Sequence, residues 1–77
     1  INFFDNAETY ADGQAEIVMG QILKQSGWRR SSYLVSSKVY FGWEEERPNQ
    51  TGLSRKHIVE ACHDALRRLQ VDYLDLY

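Results

Sequence analysis

The chain has 77 residues, with nine Lys and Arg against eleven Asp and Glu, for a net charge of −2. With 43% hydrophobic and 26% charged residues it suits a folded domain and excludes a disordered tail, and its slight negative charge argues against a nucleic-acid or anionic-membrane footprint. No apolar run approaches the roughly 18 residues of a membrane span, no stretch reads as a basic-then-apolar signal segment, and a single cysteine suits a reducing compartment, so membrane insertion is not expected and a cytoplasmic setting is.

Ile1–Phe4 is an apolar run that halts at Asp5 and reads as a strand. Asp12 or Gly13 then offers a cap for a helix over Gln14–Ser26, in which Ala15, Val18, Met19 and Ile22 follow the i, i+3, i+4, i+7 rule. Gly27 stands where helices end in a left-handed residue. Gly20, inside that helix, costs about 1 kcal/mol against Ala unless close packing requires it. Tyr33–Tyr40 is rich in β-branched and aromatic residues and predicts a second strand, followed by a long polar loop over Phe41–Gly52. Ser54 is a good cap for a second helix whose apolar stripe is Ile58, Ala61, Cys62, Ala65 and Leu69. Arg67 and Arg68 fall in its last turns, where cations suit the helix dipole, and Asp64 with Arg68 makes an i, i+4 pair. Asp72–Tyr77 predicts a third strand.

The resulting order is β-α-β-α-β, in which strands joined through helices are parallel. Three strands and two helices cannot close such a sheet. One unit takes about 35 residues, so eight take about 280, the size of a (β/α)8 barrel. The fold class expected is therefore α/β, a parallel-stranded piece of a (β/α)8 barrel. A doubly wound sheet is the rival, but no G-x-G-x-x-G follows a strand. Both ends read as strand interior, so the chain is expected to be part of a larger barrel domain that continues on either side.

Three residues arrive together at the strands' C-terminal ends, the face where barrel enzymes place chemistry: Asp5, Tyr10 and Lys38. An isolated tyrosine, with a pKa near 10, is a poor acid at neutral pH. A lysine ammonium about 4 Å away, at an effective dielectric of about 20, favours a phenolate by roughly 4 kcal/mol. Asp5 would hold Lys38 by an ion pair, and the tyrosine would protonate a carbonyl oxygen while a hydride reaches the carbon. By spacing alone, three surface residues near strand ends are the commoner reading.

The motifs around these residues shift that balance. Phe4-Asp5-Asn6-Ala7-Glu8-Thr9-Tyr10, leading into Glu16-Ile17-Val18-Met19-Gly20, resembles the aldo-keto reductase signature. Ser36-Ser37-Lys38 is similar to that family's T-T-K strand end, and Asp72-Tyr73-Leu74-Asp75-Leu76-Tyr77 to its D-Y-[LIV]-D-L-Y strand. Gly27-Trp28-Arg29-Arg30-Ser31-Ser32 and Gly52-Leu53-Ser54-Arg55-Lys56-His57-Ile58 resemble the branch containing voltage-gated potassium channel β-subunits. The resemblance covers essentially all 77 residues. It implies an NADPH-dependent reductase of aldehydes and ketones, with Tyr10 as proton donor, Lys38 as its activating base, and Asp5 as the partner of Lys38 and a contact on the cofactor (NADPH/NADP) side. Its second implication is a regulatory subunit that binds nicotinamide nucleotide and a channel, or further copies of itself, with little turnover. A fourth catalytic position, His or Asn, would follow Tyr77, and most of the family's nucleotide site lies later in the barrel. The 77 residues alone are therefore expected neither to hold NADPH tightly nor to turn over. Asn6 departs from the usual Ser or Thr, which should alter hydrogen bonding and leave the mechanism intact.

The remaining polar features have plainer explanations. His57 and His63 are expected on the solvated face of the second helix, and their i, i+6 spacing does not bring two imidazoles onto one metal, so no metal site is expected. Cys62 belongs to the apolar stripe and is expected in the core. Arg29-Arg30-Ser31-Ser32 fits a basophilic phosphorylation pattern, but polarity at a helix exit explains it equally. Asn49-Gln50-Thr51 is a glycosylation sequon by pattern alone. Trp43 either lines a substrate mouth or partner surface, or packs down.

Overall fold

The structure is a computed structural model and describes residues 1–42 and 47–77. Trp43, and with it part of the 41–52 loop, lies outside the described residues. The elements run β1 (Phe3–Asp5), a tight turn over Tyr10–Gly13, α1 (Gln14–Ser26), a short turn over Arg30–Ser32, β2 (Leu34–Ser36) and α2 (Arg55–Leu69).

β1 and β2 pair in parallel, with Phe3 opposite Leu34, Phe4 opposite Val35 and Asp5 opposite Ser36. Pairing continues past the strand ends, from Leu34 N–H to Asn2 O at 2.8 Å, Asn6 N–H to Ser36 O at 3.0 Å and Glu8 N–H to Lys38 O at 3.1 Å. Because side chains alternate across a sheet, Phe4 and Val35 face the helices. Phe3, Asp5, Leu34 and Ser36 face the other way, and Lys38, two residues past Ser36, continues on the side of Asp5.

The expected third strand is only partly formed. Leu76 makes one parallel bridge to Ser36, and Asp75 N–H donates to Val35 O at 2.9 Å. The ladder stops there because side chains take the next backbone groups. The Asp75 carboxylate accepts the Val35 N–H at 2.8 Å, and Arg30 donates to Tyr73 O at 2.9 Å. Arg30 also bonds Asp75 Oδ2 at 2.7 Å and lies over the Tyr73 ring at 3.9 Å. Hydrogen bonds from Val35 N–H, then from Arg30, hold the Asp75 carboxyl below the ordinary carboxylate range. Arg30 is thus tied into the fold, which favours the structural explanation of the Arg29–Ser32 stretch.

α1 has the expected bounds. Gly13 enters it and Gly27 leaves it with positive φ, +86° and +69°, at no Cβ cost. Its buried face is not the expected one: Glu16, Gly20 and Leu23 are buried, while Val18 and Ile22 are about half exposed. The cause is the closeness of α2. A Cβ on Gly20 would lie 2.1 Å from Arg68 O and 2.9 Å from Leu69 Cα. Close helix approach therefore accounts for this glycine. Gly20→Ala should forfeit the helix-propensity gain of about 1 kcal/mol. It should destabilise the protein by roughly 1–3 kcal/mol, the usual cost of overpacking. Denaturant unfolding checks this, and a variant as stable as the parent would remove the packing explanation.

α2 starts where Ser54 Oγ accepts the His57 N–H at 3.1 Å. Ala61, Ala65 and Leu69 are buried along it, with Ile58 and Cys62 at its margin. Asp64 pairs with Arg67 in place of the expected Arg68. Arg68 reaches instead to Glu16 on α1, Nε to Oε2 at 2.6 Å, because a fully buried carboxylate gains more from that guanidinium than an exposed aspartate does. Glu16 also accepts a hydrogen bond from Ser37 Oγ–H, so one buried acid joins both helices to the end of β2.

The core lies between the helices and the Phe4 face of the sheet: Leu23, Tyr33, Val35, Ala65 and Leu69, with Phe4, Met19, Val71 and Leu74 packed against it. Phe4 stacks on Trp28 at 5.9 Å and meets Tyr33 edge-on. On the opposite face Phe3, Leu34 and Leu76 are 47%, 43% and 63% exposed. That is the face a closed barrel would fill. Among the described residues no helix is long and apolar enough to cross a membrane.

Candidate active site

β1 delivers Asp5, the loop behind it delivers Tyr10, and the end of β2 delivers Lys38. The register of the two strands makes them meet. Lys38 Nζ donates to Asp5 Oδ2 at 2.6 Å, to Asn6 O at 3.0 Å and to Tyr10 Oη at 3.2 Å. An ammonium has three donors, and all three are used. Asp5 is fixed from its other oxygen, which accepts the Ser36 Oγ–H at 2.5 Å. Hydrogen bonds from Lys38, then Ser36, lower the Asp5 carboxyl from its ordinary value, and the hydrogen bond to Asp5 raises Lys38. Both groups are charged at neutral pH.

Tyr10 is held by its own turn. Its N–H donates to Ala7 O at 3.1 Å. Ala11, Asp12 and Gly13 then take positive φ in succession, at 50°, 52° and 86°. Left-handed backbone at Ala11 and Asp12 is costly for residues with a Cβ. The turn reverses the chain immediately after Tyr10, leaving the ring 46% exposed with Lys38 Nζ 4.9 Å from its centre. Because the ammonium donates to the phenol oxygen, the phenol proton is left for another acceptor. Tyr10 and Lys38 line an open cavity of about 260 Å³ together with Ala7, Glu8, Thr9, Val39, Tyr40 and Phe41. Asn6 is buried at 3% exposure; its backbone N–H donates to Ser36 O and its backbone carbonyl accepts from Lys38, while the side chain that departs from the signature donates from Nδ2 to Ser36 O at 3.4 Å.

A phenol with its oxygen on an ammonium, beside an apolar cavity, is suited to proton donation to a carbonyl or similar oxygen. The motifs carrying these residues match the aldo/keto reductase family model over residues 1–77. The chain belongs to the aldo/keto reductase family. This aldo/keto reductase sequence is 54% identical over 76 residues to a protein of Oryza sativa subsp. japonica described as a probable voltage-gated potassium channel subunit beta. It is 53% identical over 76 residues to a protein of Arabidopsis thaliana with the same description. Each alignment covers 99% of this chain, which spans 23% of the length of either relative. The resemblance to the channel β-subunit branch therefore holds.

Two residues near the site escaped the sequence reading. His57, expected on a solvated helix face, is 4% exposed, and Glu8 is 3% exposed. They face one another, His57 Nε2 to Glu8 Oε2 at 3.4 Å. Helical periodicity put His57 one turn from Ala61 and so at the edge of the buried stripe, but its partner lies 49 positions earlier in the chain, beyond any local pattern. His63 is exposed as expected. Among the described residues no group of three or more His, Cys, Asp and Glu could hold a metal.

Proposed function

We propose that these residues belong to an NADPH-dependent reductase of aldehydes and ketones, built on a closed (β/α)8 barrel of which residues 1–77 form an early to central part. The observation that carries this reading is the Lys38 ammonium held between the Asp5 carboxylate and the Tyr10 hydroxyl, at 2.6 and 3.2 Å. Tyr10 donates the proton to the carbonyl oxygen, Lys38 stabilises the phenolate left behind, and Asp5 keeps Lys38 in place from the cofactor side. Bound NADPH would supply the hydride that reaches the carbonyl carbon. A cavity lined both by Tyr10 and Lys38 and by Val39, Tyr40 and Phe41 suits a carbonyl group on an apolar body.

A second reading follows from the channel-subunit descriptions of the relatives. In it the same site binds nicotinamide nucleotide with slow turnover, in a cytoplasmic subunit that associates with a channel or with copies of itself. Addition of aldehydes to the NADPH-loaded, complete-barrel protein separates the two. Sustained nucleotide oxidation over many turnovers supports the reductase. Tight NADPH binding with at most one turnover supports the regulatory subunit.

A further inference from the structure

Glu16 is fully buried, one helical turn before Gly20 on the same face of α1. The close approach of α2 at Gly20 brings Arg68 within reach, and its Nε donates to Glu16 Oε2 at 2.6 Å. The other oxygen, Oε1, accepts the Ser37 Oγ–H, and Ser37 itself is 2% exposed. Burying an acid is costly, and apolar residues of the same volume often stabilise a fold as well as a buried ion pair does. What a hydrogen-bonded acid supplies instead is direction, because it holds its donors at set distances and angles. Here one of those donors is residue 37, immediately before Lys38.

Backbone bonds tie this stretch to its neighbours in the sheet: Asn6 N–H to Ser36 O at 3.0 Å, Ser37 N–H to Leu76 O at 3.2 Å and Glu8 N–H to Lys38 O at 3.1 Å. Bonds in the plane of a sheet resist sideways movement and resist movement across that plane poorly. The bond from Ser37 to Glu16 acts across it. Successive side chains alternate, so Ser36 and Lys38 stand on the Asp5 side while Ser37 points to the helices. The two hydroxyls thus hold the strand end from both faces, Ser36 on Asp5 at 2.5 Å and Ser37 on Glu16.

We infer that Glu16 and Ser37 are positioning residues: the Arg68–Glu16–Ser37 chain sets the height of the β2 end above the helices, and with it the reach of the Lys38 ammonium. That ammonium meets Asp5 Oδ2, Asn6 O and Tyr10 Oη at 2.6, 3.0 and 3.2 Å. Tyr10 arrives on a separate turn and its contact is the longest of the three, so a shift of residue 38 disturbs it first. Neither Glu16 nor Ser37 touches a reacting atom. The effect on rate rests on the proposed reductase reading, whereas the tether itself does not.

The test uses the complete-barrel protein with NADPH and an aldehyde. Ser37→Ala removes the hydroxyl and leaves the Glu16–Arg68 pair in place. Its kcat for carbonyl reduction should fall about tenfold, the scale of a sub-ångström misplacement, with KM and NADPH affinity within about twofold. Ser37→Thr, which restores the hydroxyl, should recover the loss. Added to Lys38→Met, Ser37→Ala should cost less than about twofold more, because the group it places is gone. Hydrogen exchange reads the tether without activity. The Glu8 amide, bonded to Lys38 O, should exchange about tenfold faster in Ser37→Ala, while the Leu34 amide, bonded to Asn2 O at the far end of the strand pair, changes little. If the alanine variant does not fold, Ser37→Cys, close in size and a weak donor, carries the same measurements. An unchanged Glu8 amide, equal acceleration of both amides, losses that multiply in the double variant, or a threonine variant as slow as the alanine one each overturns the inference. So does parental kcat in Ser37→Ala when Tyr10→Phe is inactive. If Tyr10→Phe remains active, the reductase reading fails, and amide exchange alone decides the tether.

Discussion

Tyr10→Phe should reduce carbonyl turnover by about 10²–10⁴-fold, the usual contribution of a positioned general acid, and leave NADPH binding almost unchanged. The substitution is local. Lys38 keeps its bonds to Asp5 Oδ2 and Asn6 O, and the aromatic face it lies over at 4.9 Å remains in phenylalanine. What disappears is the one hydroxyl whose oxygen rests on an ammonium and whose proton is free to leave. Steady-state NADPH oxidation with an aldehyde, alongside fluorescence titration of the nucleotide, separates the two effects. Turnover within about threefold of the parent would mean that another group donates the proton.

Lys38→Met should act through charge more than shape. The ammonium 3.2 Å from the Tyr10 oxygen favours proton release, and a thioether cannot. The expected loss is on the order of 10²-fold near neutral pH. The undiscounted ~4 kcal/mol of a close charge pair would give ~10³, but the Lys38 and Asp5 side chains are about half exposed and solvent screens them. In the parent, the sign of each shift sets where the Asp5–Lys38 pair operates. The lowered Asp5 contributes fully above its ordinary 3.8 and is lost as pH falls through its folded value. The raised Lys38 contributes fully below its ordinary 10.5 and is lost as pH rises through its folded value. The pair is thus intact across the neutral range, where the turnover of Lys38→Met is compared with that of the parent. Full activity near neutral pH would show that Lys38 is a surface residue.

Local patterns in the chain were enough for both helices, for the glycines at their ends and the Ser54 cap, because these depend on residues within about one turn of each other. They were also enough to bring Asp5, Tyr10 and Lys38 to one end of a parallel pair, since alternation and strand direction follow from the order of elements. Tertiary packing decided what depends on distant partners. It turned α1 so that Glu16, Gly20 and Leu23 are buried and Val18 is not, because Arg68 and the α2 backbone come up against that side. It left the Asp72–Tyr77 segment as a single bridge, because Arg30 and Asp75 side chains occupy the backbone groups a ladder would use. And it buried His57 against Glu8, a pairing invisible to any periodicity because two polar side chains enter a core only when each finds its partner across the fold.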